Sequence, residues 1–219
     1  GEQGMIDHPL YFCPFCGTEY FDAPGAPREA LDHYLAKSRY PFAAANLRNL
    51  VPMGHKCNSN YKLADDVLYD AGGVRRVAFD PYNHTTAVRI VLDSSDPFDD
   101  AKESTPKWDI RFEPNSAQVQ TWDDVFSVRR RYERDHLDAN YRRWLELFRD
   151  SAQMLNWPVA TEQQRIAALK KFEELWQVQG LDGQGFLKAA VFRMLRLHCE
   201  QGHERLNQYL RDLMAPQPA

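Results

Sequence analysis

Apolar residues recur at helical spacing through most of the second half of the chain. One stripe runs through a highly charged stretch and comprises Val125, Val128, Tyr132, His136, Tyr141, Trp144, Leu145 and Phe148. A second stripe follows a capping-box sequence, Thr161-Glu-Gln-Gln164, and comprises Ile166, Leu169, Phe172, Leu175 and Trp176. Residues 186–199 and 203–214 continue the pattern after a turn at residues 180–185. This spacing predicts a mainly helical region.

Alternating patterns precede these helices. Residues 88–92 and 108–112 alternate apolar and polar side chains, as strands do, and residues 118–121 are a candidate for a further strand. The acidic stretch between the first two, residues 93–103, is expected to be a solvated loop. A small strand region therefore leads into the helices.

The first 70 residues have shorter and less regular patterns. Residues 30–34 favour a short strand that carries His33, and residues 50–52 favour a second strand ended by proline. An irregular excursion at residues 38–49 separates them, and residues 58–69 have helical spacing. Upstream, Cys13-Pro-Phe-Cys16 and Gly17 predict a tight knuckle that points both sulfurs inward.

Together these patterns predict an α+β fold with a boundary near residue 85. An N-terminal module, residues 1–85, contains the knuckle, two short strands and a helix. Residues 86–219 form a small strand region and a mainly helical accessory region. With 219 residues, the chain can form one good core or two modest ones.

Composition is that of a folded globular protein, with 43% hydrophobic and 12% aromatic residues. The apolar runs are far shorter than a membrane span, and the N-terminus lacks a signal-peptide pattern. Two of the four cysteines form a C-x-x-C pair, which favours metal ligation in a reducing compartment over a disulfide framework. The lone Cys199 is expected to be a packed thiol. We therefore expect a soluble cytoplasmic protein without a membrane partner.

Charge is unevenly distributed. The net charge of −4 argues against a protein that coats nucleic acid with its whole surface. Residues 26–63, however, carry six cations against two acids, an excess of four: Arg28, Lys37, Arg39, Arg48, Lys56 and Lys62 against Glu29 and Asp32. An anionic substrate would be attracted to this segment.

The same segment contains side chains suited to phosphodiester hydrolysis. His33 can take a proton from water near neutral pH. Asp32 offers a hard oxygen ligand for Mg²⁺ and Asn58 a neutral amide oxygen. Asn49 can bridge backbone groups across the connecting loop. Lys62, one helical turn after Asn58, can meet a phosphate oxygen.

This ordered set resembles the HNH, or ββα-metal, endonuclease superfamily over roughly residues 10 to 70. The match consists of Cys13-x-x-Cys16, Asp32-His33, Asn49-Leu-Val-Pro and Cys57-Asn58 with a trailing Lys62. The resemblance implies a zinc-knuckle ββα-metal module that hydrolyses DNA with Mg²⁺ or Mn²⁺. It makes His33 the general base, Asp32 and Asn58 the metal ligands, and Asn49 the structural asparagine.

A narrower resemblance lies in Asp32-His33-Tyr-Leu-Ala-Lys-Ser-Arg-Tyr-Pro. This phrase is similar to small stand-alone HNH proteins, including those paired with ATPases in bacterial anti-phage systems of the Septu type. It implies a role in antiviral defence with an ATPase or another regulatory partner. The helical region is then expected to bind DNA, to form a homo-oligomer or to dock on that partner.

The zinc knuckle departs from the family pattern at one position. Zinc-containing members have a second C-x-x-C ending just before the helix, and here Gly54 stands three residues before Cys57. His55 is expected to substitute, because zinc accepts imidazole as readily as thiolate, which gives a site of Cys13, Cys16, His55 and Cys57. His8 as the fourth ligand, or a site that has lost zinc, are the alternatives.

A second functional class stays open. In this alternative, Asp32 and His33 are a surface pair, the two asparagines cap turns or helices, and Lys62 is a solvated residue. The chain would then be a catalytically inactive, zinc-stapled module that binds nucleic acid or protein. The arginines of residues 129–143 alternate with acids, which favours a solvated, salt-bridged helix over a DNA-binding stripe.

Overall fold

A computed structural model describes residues 11–22, 26, 31–63, 65–83, 87–102 and 105–215. The fold is mixed α/β, with two small antiparallel sheets and a mainly helical second half. Two compact units form: unit 1 is Gly1–Ala87 with Asn115–Val128, and unit 2 is Val88–Pro114 with Arg129–Ala219. Within the described ranges, no helix combines the length and the apolar composition that crossing a bilayer requires.

Unit 1 contains a two-stranded sheet followed by a short helix. Strand β1 (Leu31–His33) pairs antiparallel with β2 (Leu50–Pro52), so that His33 lies opposite Leu50. The loop between them includes the 3-10 turns Pro41–Ala43 and Leu47–Asn49. A π-helical segment, Cys57–Lys62, follows β2. The order strand, strand, helix agrees with the sequence prediction for this part of the chain.

The helix after β2 is shorter than predicted. It ends at Lys62 because Leu63 adopts a φ of 45°, in the left-handed region that a non-glycine residue rarely enters. Residues 65–69 are not helical. The Asp66 carboxylate accepts hydrogen bonds from the Leu68 backbone N–H at 2.8 Å and from the Tyr40 hydroxyl. This local hydrogen bonding offers the backbone an alternative to the helix.

Helix α1 (Ala117–Phe126) completes unit 1. The Ser116 side chain caps it by accepting a hydrogen bond from the Val119 N–H at 3.3 Å. The predicted strand at residues 118–121 is therefore wrong, since these residues lie inside a capped helix. The Trp122 indole donates to the Phe15 carbonyl at 2.6 Å, and the Phe126 ring lies 4.8 Å from that of Phe15. These contacts attach the helix to the cysteine knuckle.

Unit 2 combines a second small sheet with helices. Strand β3 (Arg89–Val91) pairs antiparallel with β4 (Arg111–Glu113). The helices are α2 (Val128–Arg131), α3 (Ala139–Met154), α4 (Glu162–Gln179), α5 (Gly185–Glu200) and α6 (Glu204–Leu213), with a π-helical segment, Tyr132–Asp138, before α3. The predicted capping box at Thr161 and Gln164 is confirmed.

The core of unit 2 is aromatic. The rings of Phe148, Phe172 and Phe192 lie 4.5–5.4 Å apart between α3, α4 and α5. Two ion pairs surround this core: Arg193 with Asp93 at 3.1 Å and Arg196 with Glu173 at 2.7 Å. The predicted stripes are confirmed in part: Tyr141, Trp144, Leu145, Phe148, Leu169 and Phe172 are buried in unit 2, whereas Leu175 is 43% exposed and Val125 and Val128 belong to unit 1.

Candidate functional site

Lys62 and Asp32 join the π-helical segment to β1. The Lys62 Nζ atom lies 2.9 Å from Asp32 Oδ2, and the Lys62 side chain is only 1% exposed. The expectation that Lys62 meets a phosphate at the surface needs correction, because its ammonium is buried on a carboxylate. Asn58 lies four residues earlier in the same π-helical segment and is partly exposed. Among the described residues, no hydrogen bond reaches the other oxygen of Asp32.

His33 is held by one ring nitrogen. Its Nε2 lies 3.2 Å from the carbonyl oxygen of Ala44, in the loop after the first 3-10 turn. A carbonyl can only accept, so the neutral ring carries its proton on Nε2 and its lone pair on Nδ1. The side chain is partly exposed. A histidine in this tautomer is ready to accept a proton at Nδ1.

The Asn49 side chain connects the two ends of the β1–β2 loop by hydrogen bonds. Its Oδ1 accepts a hydrogen bond from the Leu35 N–H at 2.7 Å, and its Nδ2 donates to the Leu35 carbonyl at 3.0 Å. Its own carbonyl accepts from the Tyr34 N–H at 2.8 Å. The side chain therefore bridges the backbone directly after His33, as its position between the strands predicted.

Three cysteines from the knuckle and the start of the π-helical segment lie close together. The Sγ atoms of Cys13, Cys16 and Cys57 all lie within 4.8 Å of one another, and the three side chains are buried. The Gly54 N–H donates to Cys13 Sγ at 3.3 Å. Sulfur ligands from a knuckle and a helix start are a typical donor set for zinc. The cluster could therefore bind a metal ion.

Hydrogen bonding within the cluster shifts the pKa values of its three thiols in different directions. Bonds from the Cys13 and Cys57 thiols hold the pKa of the Cys16 thiol well below its usual range, and Thr18 adds to the effect. The bond with Cys16 raises the pKa of Cys13 to about 11, and bonds with both other thiols and burial raise the pKa of Cys57. Metal binding to the cluster has to displace the protons of the cysteines that are still thiols.

The predicted fourth ligand, His55, does not join this cluster. Its ring is exposed, with Nδ1 3.5 Å from the Ser59 hydroxyl. His55 stands two residues before Cys57 in a helical stretch, and residues at that spacing point away from each other. The alternative ligand, His8, lies outside the described residues.

Glu19 is a neighbour of the cluster that no motif or spacing in the chain singles out. Its carboxylate accepts hydrogen bonds from the Lys56 N–H at 3.2 and 3.3 Å, at the start of the helix. A Cβ atom at residue 54 would overlap this carboxylate. Glycine at position 54 therefore gives Glu19 room to cap the helix.

The segment after the helix packs on β2. The Tyr82 hydroxyl donates to the Leu50 carbonyl. Asp80 accepts from the Tyr82 N–H and from Asn83 Nδ2, both at 2.9 Å, and lies 3.5 Å from Arg48. These contacts, led by the Tyr82 N–H, hold the pKa of Asp80 below its usual range.

Comparison of the chain with known protein-family models, curated proteins and solved structures gives no match. Its function has to be inferred from its own residues.

Proposed function

We propose that the chain is a metal-dependent endonuclease of the HNH, or ββα-metal, type that hydrolyses DNA phosphodiester bonds. The observation that carries this proposal is the orientation of His33. Its Nε2 is engaged by the Ala44 carbonyl, which leaves Nδ1 as a base at the end of β1. Asn49 fixes the backbone beside it. An oriented, partly exposed histidine can act as the general base in hydrolysis, and Asp32 precedes it in β1.

Each side chain then has one task. His33 Nδ1 takes the proton of the water that attacks phosphorus. Asp32, through the oxygen that Lys62 leaves available, and Asn58 would hold Mg²⁺ or Mn²⁺, since both offer hard oxygen atoms. When bound, the cation supplies charge stabilisation on the phosphate and the leaving oxygen. Lys62 positions Asp32 and does not touch substrate.

The three-cysteine cluster supports a structural zinc ion as part of this proposal. Cys13, Cys16 and Cys57 would hold it, and the metal would staple the knuckle to the helix. Metal analysis should find one zinc in the purified protein and less in Cys57→Ser.

A cysteine at position 54 would displace Glu19 and add a fourth thiolate, so Gly54→Cys should retain zinc longer against a chelator. Zinc-free wild-type protein would contradict this part of the proposal.

A biological setting follows from the narrower resemblance alone. We infer a role in bacterial anti-phage defence, with an ATPase or another regulatory protein as partner. The helices of unit 2 are candidates for docking that partner, for DNA binding or for homo-oligomerisation. Co-purification of the full chain with an ATPase would support this setting.

The test is a plasmid-cleavage assay with two histidine variants. His33→Ala should lose about 10²-fold or more of its activity in Mg²⁺ or Mn²⁺, the usual contribution of a general base. His198→Ala is the matched control, because His198 also holds its Nε2 on a backbone carbonyl, that of Ser95 at 2.8 Å, but in unit 2. Wild-type activity in a folded His33→Ala protein would overturn the proposed role.

The second candidate is an inactive, zinc-stapled module that binds nucleic acid or protein. The Lys62–Asp32 ion pair favours it, because an ammonium already neutralises the carboxylate that should hold the catalytic cation. The two candidates predict different results for the wild-type chain. Binding of DNA without cleavage, across a panel of metals and substrates, would select the inactive module.

A further inference from the structure

The β1–β2 loop presents an aromatic ring to solvent. Phe42 lies in the 3-10 turn Pro41–Ala43 and is 97% exposed. It stands two residues before Ala44, whose carbonyl holds His33. Leu47, on the second turn of the same loop, is 79% exposed. Two large apolar side chains therefore project from the loop that orients the candidate base.

Several hydrogen bonds hold this loop in its conformation. The Tyr40 hydroxyl donates to both oxygens of Asp66 at 2.8–2.9 Å. The Ala43 N–H donates to the Tyr40 carbonyl at 3.0 Å, and the Ala44 N–H to that of Pro41 at 3.2 Å. The Asn46 side chain caps the second turn. Phe42 is thus held in water by an ordered backbone, and covering its ring would gain hydrophobic free energy.

The charged residues around Phe42 indicate what kind of partner covers its ring. Residues 33–64 contain no Asp or Glu. Lys37, Arg39 and Arg48 are exposed on the loop itself, with Arg39 lying 3.5 Å from Asp66 and Arg48 3.5 Å from Asp80. Arg48 also lines a cleft of about 590 Å³ together with Arg75, Arg76 and Asp80, so cations outnumber acids around Phe42. A partner that satisfies both an aromatic ring and a field of cations carries phosphates and flat apolar groups, which is the chemistry of nucleic acid.

We propose that Phe42 contacts the bases of the nucleic acid beside the cleaved phosphate, stacking on an unpaired base or entering between two base pairs. The inference rests on the proposed nuclease function and adds a substrate class to it. Opening a base step takes the least energy where the bases are already mismatched or unpaired. Locally unpaired or distorted DNA is therefore the preferred substrate.

Binding of labelled DNA to the full chain tests this contact. The probe is a duplex with a central mismatch and a neighbouring 2-aminopurine, and the protein carries His33→Ala so that the DNA stays intact. Adding Phe42→Ala should weaken binding by about tenfold or more, the loss expected for one stacked base. It should also remove the change in 2-aminopurine fluorescence. Adding Val178→Ala, which removes another exposed apolar side chain (86%) in unit 2, should leave both unchanged.

Two results would overturn the inference. One is unaltered affinity and fluorescence with Phe42→Ala. The other is an equal loss of binding to heparin, a polyanion without bases, which would make the ring a general anchor for an acidic partner. Cleavage by the chain with native His33 is measured separately. If the chain cleaves matched and mismatched DNA equally and Phe42→Ala cleaves as well as wild type, the base contact is rejected and the nuclease function stands. If binding depends on Phe42 and on the bases but no cleavage occurs, the nuclease function is rejected and the base contact stands.

Discussion

At the scale of single residues, the buried ammonium of Lys62 constrains the candidate site most. A charged group at 1% exposure needs a partner, and Asp32 is that partner. Helical spacing predicted that Lys62 shares a face with Asn58, but spacing cannot tell whether that face meets solvent or a strand. The sequence therefore identified the residue and not its contact.

Lys62→Met should lower the free energy of unfolding by about 2–3 kcal/mol, below the range for breaking a fully buried pair because Asp32 is partly exposed. The methionine keeps most of the length of the side chain, which is one atom shorter, and removes its charge. Urea unfolding measures the change. Lys56→Met, at an exposed lysine just before the π-helical segment, should stay within about 0.5 kcal/mol of wild type. Equal effects of the two substitutions would contradict the importance of the pair.

Cys199 gives a pH dependence with a definite sign. Burial raises the pKa of its thiol to about 12. The folded state disfavours the thiolate, so Cys199 contributes stability below its usual pKa of about 8.5 and loses that contribution as the pH rises above it. The free energy of unfolding should fall between about pH 9 and pH 11, and less steeply in Cys199→Ala. Urea unfolding across that range tests this; parallel curves for the two proteins would refute it.

At the scale of elements, Asn49 determines the conformation of the β1–β2 loop. Asn49→Ala should cost about 2–4 kcal/mol, because it leaves the Leu35 N–H and carbonyl without their partners. Asn49→Asp is the informative comparison, since it keeps an acceptor for the N–H and loses the donor to the carbonyl. Chemical unfolding measures both, and at neutral pH the aspartate variant should be no more stable than the alanine variant, because its buried carboxylate would face the Leu35 carbonyl oxygen. An alanine variant as stable as wild type would show that the bridge is unimportant.

The elements were predictable where periodicity and capping agree. The sequence predicted β1, β2, β3 and the Thr161 cap where the structure has them, whereas β4 (Arg111–Glu113) shares only residues 111–112 with the predicted strand 108–112. The missed features depend on single side chains. Ser116 starts a helix through residues that alternate like a strand, and Asp66 binds Leu68 and Tyr40 where the helix was expected to continue. Such local hydrogen bonds override a periodic pattern.

At the scale of the whole molecule, the candidate zinc site concerns unit 1 alone. Chelation of metal should increase amide hydrogen exchange in unit 1 and leave α4 and α5 of unit 2 protected, because all three sulfurs belong to unit 1. Hydrogen-exchange mass spectrometry with and without chelator resolves this. Cys57→Ser should reproduce the pattern without chelator. A uniform loss of protection in both units would contradict it.

The division of the chain was only partly accessible from sequence. A change of pattern near residue 85 predicted a boundary, and the first part of unit 1 ends at Ala87. No pattern predicted that residues 115–128 belong with the knuckle. That assignment depends on Trp122 and Phe126 meeting Phe15, and a contact across more than a hundred residues leaves no trace in local periodicity.

This discontinuity has a consequence for the order in which the protein is made. Phe15, His33 and Lys62 leave the ribosome well before α1, and the first segment of unit 2 is synthesised in between. Translation has to pass residue 128 before the knuckle receives the helix that packs on it. A nascent chain would therefore carry every residue proposed for catalysis while still lacking part of the scaffold that holds them.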